Sequence, residues 1–195
     1  DMPSGQGATD LFWQWGQFLD HDIDLTPVIS PIESFDIEVP AGDPWFDPQG
    51  TGTESIPLTR SFYTIVDGVR QQINEISAYI DASQVYGSDP QRAEALRTFD
   101  GTGRLKVSTG DLLHFNEAGL PNSPSAEMPN LFLAGDIRAN EQVGLVSMHT
   151  LFVREHNHWA DAIREGDPLL SGDAVYQAAR TIVAAEMQAI TYREF

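Results

Sequence analysis

The segment Trp13-Gln-Trp-Gly-Gln-Phe-Leu-Asp-His-Asp-Ile-Asp24 constrains the fold more than any other stretch, because it packs Gln17, Asp20, His21 and Asp22 into two turns of an otherwise apolar run. The pattern predicts a helix starting at Thr9, a residue type able to cap the free N–H groups. Gln17 then lies four positions and Asp20 one position before His21, so the three share a face. Asp22 is turned roughly 100° beyond His21 and can serve a second site behind the first. A histidine beside two carboxylates suits proton transfer near neutral pH, and it equally suits a structural, hydrogen-bonded helix histidine.

The 195 residues, 41% hydrophobic and 21% charged, describe one soluble globular domain. A net charge of −18, from 29 acidic against 11 basic residues, repels phosphate backbones, so nucleic acid is not an expected partner and cations are better ones. Without cysteine there is no disulfide framework, thiolate metal site, cysteine nucleophile or thiolate-ligated haem. No run reaches the length of a membrane span. Asp1-Met-Pro-Ser4 lacks the basic and apolar regions of a signal peptide, which leaves open a mature product whose export signal is already gone.

Pro27 to Ser61, rich in Pro, Gly, Asp and Ser, reads as a long surface loop. An apolar rhythm resumes from Gln71 to Tyr86 through Ile73, Ile76, Ile80 and Val85. Ser88-Asp-Pro-Gln91 reads as a capping box opening a short helix to about Arg97. Arg104 to Phe115 alternates around Ser108-Thr-Gly110 as a hairpin. From Gly144, apolar residues recur at helical spacing until Gly166-Asp-Pro168, and Ser171 caps a further helix running toward the C-terminus. The expected fold is mainly α-helical, with long loops, at most a small hairpin, and no internal domain boundary.

Further clusters carry possible chemistry. Ser77-Ala-Tyr-Ile-Asp-Ala-Ser83 offers oxygen ligands at alternate positions, suited to calcium or to a turn held by Asp81 and Ser83. Arg138 and Glu141 are three apart and share a face if helical, as a simple ion pair or as a charge-stabilising arginine beside a cofactor-contacting carboxylate. His149 and His156 sit on the apolar stripe of the long helix with His158 turned away. The HExxH spacing is absent, which favours histidines hydrogen-bonded to backbone over metal ligands.

Five blocks in order resemble the animal-type haem peroxidases of the peroxidase-cyclooxygenase superfamily. They are Trp15-Gly-Gln-Phe-Leu-Asp-His-Asp-Ile-Asp-Leu-Thr-Pro27, Gln72-Ile-Asn74 with Asp81-Ala-Ser-Gln-Val-Tyr-Gly-Ser88, Leu133-Ala-Gly-Asp-Ile-Arg138, Ser147-Met-His-Thr150 and Arg154-Glu-His-Asn157. The resemblance implies a haem-peroxidase-type helical fold and a haem b cofactor. It implies that His21 exchanges protons with hydrogen peroxide, that Arg138 assists O–O cleavage, and that Gln17 lies in the distal cavity. Asp20 and Glu141 match carboxylates that form ester bonds to haem, while Gln142 replaces the methionine of a sulfonium link. Asp22, Ser77, Tyr79 through its carbonyl, Asp81 and Ser83 match a calcium site.

By the same resemblance the family's proximal haem histidine lies beyond Phe195. Residues 1–195 are then the distal-side part of one catalytic domain, with the proximal-side segment on a second chain or removed. The expected activity is reduction of hydrogen peroxide coupled to oxidation of halide, thiocyanate or small anionic or aromatic donors, in a secreted or extracellular setting. The lack of cysteine points to a bacterial-type member. Three alternatives stand beside it: a fatty-acid dioxygenase of the same superfamily, a metal-dependent phosphohydrolase using His21-Asp22 with His149 and His156, and a non-enzymatic calcium-binding module.

Overall fold

A computed structural model describes residues 5, 7–123, 128 and 130–195; the Asp1-Met-Pro-Ser4 stretch read for a leader lies outside the described residues. The chain divides into two compact units, one holding Leu25–Glu75 and the other the residues before and after it. The Pro-, Gly-, Asp- and Ser-rich stretch Pro27 to Ser61, read from sequence as a loop, falls inside the smaller unit.

The larger unit is helical. Helix α1 spans Asp10–Ile23, α2 is the single turn Ser83–Tyr86, α3 spans Pro90–Leu96, α4 Val143–Gly166 and α5 Gly172–Arg193. The capping residues follow the sequence with two differences. Thr9 is the N-cap of α1, but its side chain makes no capping hydrogen bond. Asp89, not Ser88, caps α3 by accepting the Arg92 N–H, because Pro90 at the first helical position makes the preceding residue the cap. Ser171 caps α5 as its position predicts, accepting from Ala174 N at 3.2 Å.

Helix α4 is the centre of the core. Its buried stripe, Leu145, His149, Phe152, Val153, His156 and Ala160, packs against Trp15 and Phe18 of α1 and against Val175, Ala179, Val183 and Met187 of α5. The Phe18 and Phe152 rings stack with centroids 5.1 Å apart. Each such side chain removed from water contributes roughly 1.5–3 kcal/mol, enough to fix α1 rigidly on α4. The expected hairpin is present as β5 (Val107–Ser108) paired with β6 (Leu112–Leu113).

The smaller unit differs from the expected loop. It contains β1 (Ile37–Glu38) paired with β2 (Ser55–Ile56), and the hairpin β3 (Tyr63–Val66) with β4 (Val69–Gln72). Asp67 and Gly68 both adopt positive φ, 51° and 77°, the left-handed pair that a two-residue hairpin turn requires. A buried Asp47 carboxylate closes the adjoining loop, accepting from the backbone N–H groups of Gly42, Thr51 and Gly52. The fold is therefore mainly α with three two-stranded ribbons among the described residues, against the at most one hairpin expected.

Candidate distal site

Three of the predicted residues meet the Ala134–Gln142 segment on one face of α1. Gln17 Nε2 donates to Glu141 Oε2 at 3.1 Å, Asp20 lies 3.6 Å from Arg138 Nη1, and His21 Nε2 lies 3.9 Å from Glu141 Oε2. The His21 side chain is buried, whereas Asp20 and Glu141 remain 54% and 40% exposed, so the two carboxylates flank a sheltered imidazole and guanidinium at an accessible edge. Gln142 reinforces the cluster. Its Nε2 donates to Gln14 and Gln17, and its Oε1 accepts from Gly144 N to cap α4.

The Arg138 segment is a series of turns, not a helix, and among the described residues no ion pair joins Arg138 to Glu141. Arg138 turns instead to Asp136, a buried acid that sequence reasoning passed over. Its backbone N, Nε and Nη2 all donate to that carboxylate at 2.8–2.9 Å, and Nη2 also reaches the Asp24 carbonyl. Burial alone would raise Asp136, but the hydrogen bonds and charge of Arg138, with His21 adding to them, hold it below the usual carboxylate range. On its other side Asp136 Oδ1 is 3.5 Å from His21 Nδ1.

A second layer locks this arrangement. Gln84 donates from Nε2 to the Phe18 carbonyl and accepts from Asp136 N, tying α1 to the Asp136 turn. Gly135 is required there, since a Cβ would stand 2.5 Å from the Gln84 carbonyl oxygen. The buried Arg92 donates to the Ala134 and Pro121 carbonyls. Burial then pushes His21 down to about 4, against the upward pull of Asp136, so it is a neutral imidazole at neutral pH. Burial raises Asp20, against the pull of Arg138.

Asp22 points the other way, as the helical turn predicts, and is fully buried against α2. Its carboxylate accepts the N–H groups of Asp81, Ala82 and Ser83 and the Ser83 hydroxyl at 2.7 Å. Asp81 Oδ1 accepts from Ser83 N, the Tyr79 carbonyl from Asp81 N, and Ser77 Oγ from Tyr79 N. The Tyr79 ring is exposed, leaving its carbonyl turned into this set. All five predicted oxygen-bearing residues thus form one linked cluster, with only two carboxylates in it. Burial raises Asp22 to about 6.

The two core histidines differ from each other. His156 has the expected backbone bond, Nε2 to the Gly103 carbonyl at 2.9 Å, with Tyr86 Oη 3.0 Å from Nδ1. His149 interacts with the Gln84 backbone, but neither ring nitrogen forms a well-shaped hydrogen bond, and Phe18 lies 4.9 Å away edge-on and His21 at 6.5 Å. Among the described residues no three His, Cys, Asp or Glu side chains converge on a metal position. None of the described helices is long and apolar enough to cross a membrane.

A mainly helical unit that presents a histidine and an arginine between two carboxylates has clear relatives. The animal haem peroxidase family model matches residues 1–195. Myeloperoxidase of Mus musculus is 38% identical over 217 residues, covering 95% of this chain and 30% of that protein. Among solved structures, peroxidase A from Dictyostelium discoideum superposes with a TM-score of 0.84 at 32% identity, over 98% of this chain and 40% of that one. A fatty acid alpha-dioxygenase of Oryza sativa gives 0.74 at 28% identity, over 97% and 28%. The chain belongs to the animal haem peroxidase family and spans about a third of the length of the curated relative.

Proposed function

We propose that these residues form the distal side of a haem peroxidase that reduces hydrogen peroxide and oxidises halide, thiocyanate or small organic donors, in a secreted or extracellular setting. One observation carries the reading: a neutral, buried His21 and an Arg138 guanidinium held side by side between Asp20 and Glu141. Haem b suits this donor set: Asp20 and Glu141, on either side of the pair, would hold it and would be the residues esterified to it. Bound haem supplies the electrons that peroxide reduction consumes and recovers them from the donor.

His21 Nε2 accepts the first peroxide proton and returns it to the departing oxygen, which then leaves as water. Arg138 stabilises the negative charge that develops on that oxygen, and Asp136 keeps its guanidinium from swinging away. Gln17, bound to Glu141 and Gln142, would face the peroxide or halide bound beside His21. The oxygen donors of Asp22, Ser77, Tyr79, Asp81 and Ser83 fit calcium, a hard cation whose charge would offset two clustered carboxylates behind the base. By the resemblance, the proximal iron ligand would come from the part of the family's domain outside residues 1–195, and neither His149 nor His156 matches it.

The test uses the complete protein with haem and calcium. A Soret band and peroxide-dependent donor oxidation are expected. His21→Gln should slow the peroxide reaction by roughly 10²–10⁴-fold, and Asp20→Asn with Glu141→Gln should make haem extractable by acidified solvent. No Soret band, or unchanged peroxide kinetics in His21→Gln, would sink the reading. The likeness to the Oryza sativa dioxygenase supports a second reading, fatty-acid oxygenation. Oxygen uptake with a fatty acid and no added peroxide would favour it.

A further inference from the structure

Asp136 is a buried acid between two groups of the proposed site, and its geometry points to a positioning residue that presents His21 and Arg138 to peroxide as one unit. The inference rests on the peroxidase reading. A carboxylate this enclosed needs compensation. Arg138 provides it through three hydrogen bonds, from the backbone N, Nε and Nη2. Those bonds consume one edge of the guanidinium and leave Nη1 directed to the Asp20 side, at 3.6 Å. The fork geometry means that the plane of the guanidinium, and not merely its position, is set by Asp136.

The same carboxylate sets the other partner. His21 Nδ1 is buried and without a well-formed hydrogen bond, and Asp136 Oδ1, 3.5 Å away, is the acid beside it. A proton on Nδ1 is stabilised there, which leaves the lone pair on Nε2. Nε2 faces the Glu141 side, where the ring meets the accessible edge. Such contacts are commonly long before substrate binds and shorten afterwards. Asp136 cannot drift to serve one partner at the expense of the other. Its N–H is fixed on the Gln84 carbonyl, Gly135 packs against that carbonyl, and Arg92 holds the Ala134 carbonyl one peptide earlier.

The experiment compares wild type, Asp136→Asn, Arg138→Ala and the double variant in the complete haem-loaded protein. It measures the rate of the peroxide reaction and, independently of turnover, the dissociation constant of cyanide for the ferric form. Hydrogen cyanide must give up a proton to a distal base as it binds. Asp136→Asn should lower the peroxide rate and weaken cyanide binding by roughly 10–100-fold each, the range for losing a group that orients an imidazole. The double variant should react more slowly than Arg138→Ala alone, through the share carried by His21, but by less than the product of the two single losses.

Unchanged rate and cyanide affinity in Asp136→Asn, or losses that simply multiply in the double variant, would overturn the assignment. A wild type with neither Soret band nor peroxide reaction would instead overturn the peroxidase reading. If Asp136→Asn does not fold, Asp136→Glu carries the test, since it keeps the charge and displaces it by one methylene. Wild-type peroxide rate and cyanide affinity in that variant would overturn the assignment, and a drop in both would uphold it.

Discussion

His156 shows how a single buried residue ties stability to pH. Gly103 offers only a carbonyl, so Nε2 carries the proton and Nδ1 accepts from the Tyr86 hydroxyl. That neutral tautomer has no room for a second ring proton, and burial pushes the group down to about 4 from an ordinary 6.5. The unfolded chain takes up a proton near 6.5 while the folded chain resists until about 4. Between those values the unfolded state binds more protons, so stability is whole above 6.5 and falls as pH drops through the window. The contribution is on the order of 3 kcal/mol. His156→Gln retains an acceptor for Tyr86 and a donor for Gly103 without a titrating ring. Urea midpoints measured from pH 7 to pH 4 should fall less steeply in this variant; an identical slope would show that His156 does not carry the effect.

At the scale of elements, α1 and α2 are joined by an acid whose charge has no basic side chain in the cluster. Asp22 accepts four hydrogen bonds from the Asp81–Ser83 turn and is still raised by burial. A bound calcium would relieve that cost and make helix placement depend on free cation. Stabilisation by a ligand of the folded state follows RT ln(1 + [L]/Kd), about 2.7 kcal/mol at a hundredfold excess over Kd. Melting temperature should rise with calcium in the wild type and become insensitive to it in Asp22→Asn, as read by calorimetry with and without a chelator. A wild-type transition indifferent to calcium would refute the site.

The elements that present these residues were legible in sequence where hydrophobic period and caps agreed. Helices α4 and α5 had long apolar stripes, α5 also had a serine cap, and α1 had its polar residues spaced to two faces. The Asp67-Gly68 hairpin was missed although its turn residues are strong ones. Its strands are exposed along nearly their whole length, so they show no alternation of apolar and polar positions. Asp136, Gln84 and Arg92 were missed for a related reason: burial of a polar side chain depends on partners far away in the chain. The local hint is that Asp136 falls inside the family-like block Leu133–Arg138. Arg138 and Glu141 were recovered as site residues while their local geometry was not, because turns at Asp136–Gln142 replace the assumed helix.

At the scale of the whole molecule, the two compact units differ in what holds them. The larger unit encloses a contiguous apolar core from Trp15 through Phe152 to Met187. In Leu25–Glu75 only Val39 and Asp47 are buried, and large apolar side chains such as Ile32, Trp45 and Val69 are exposed. Its order rests on short ladders, on the hydrogen bonds to Asp47, and on Glu33, which pairs with Arg60 and Arg70 and accepts from Tyr63. Exposed ion pairs contribute about 0–1 kcal/mol each, whereas every enclosed aromatic or aliphatic side chain of the core contributes two or three times that. Local opening should therefore take far less free energy in Leu25–Glu75 than in α4. Amide hydrogen exchange is expected to be fast at Tyr63–Gln72 and slowest at Leu145–Ala160. Raising salt should speed exchange around Arg60 and Arg70 while leaving α4 unaffected, since screening weakens surface pairs and not apolar burial. Equal protection in β3–β4 and α4 would mean that Leu25–Glu75 opens only with global unfolding, and its stability would then need a source other than its own contacts.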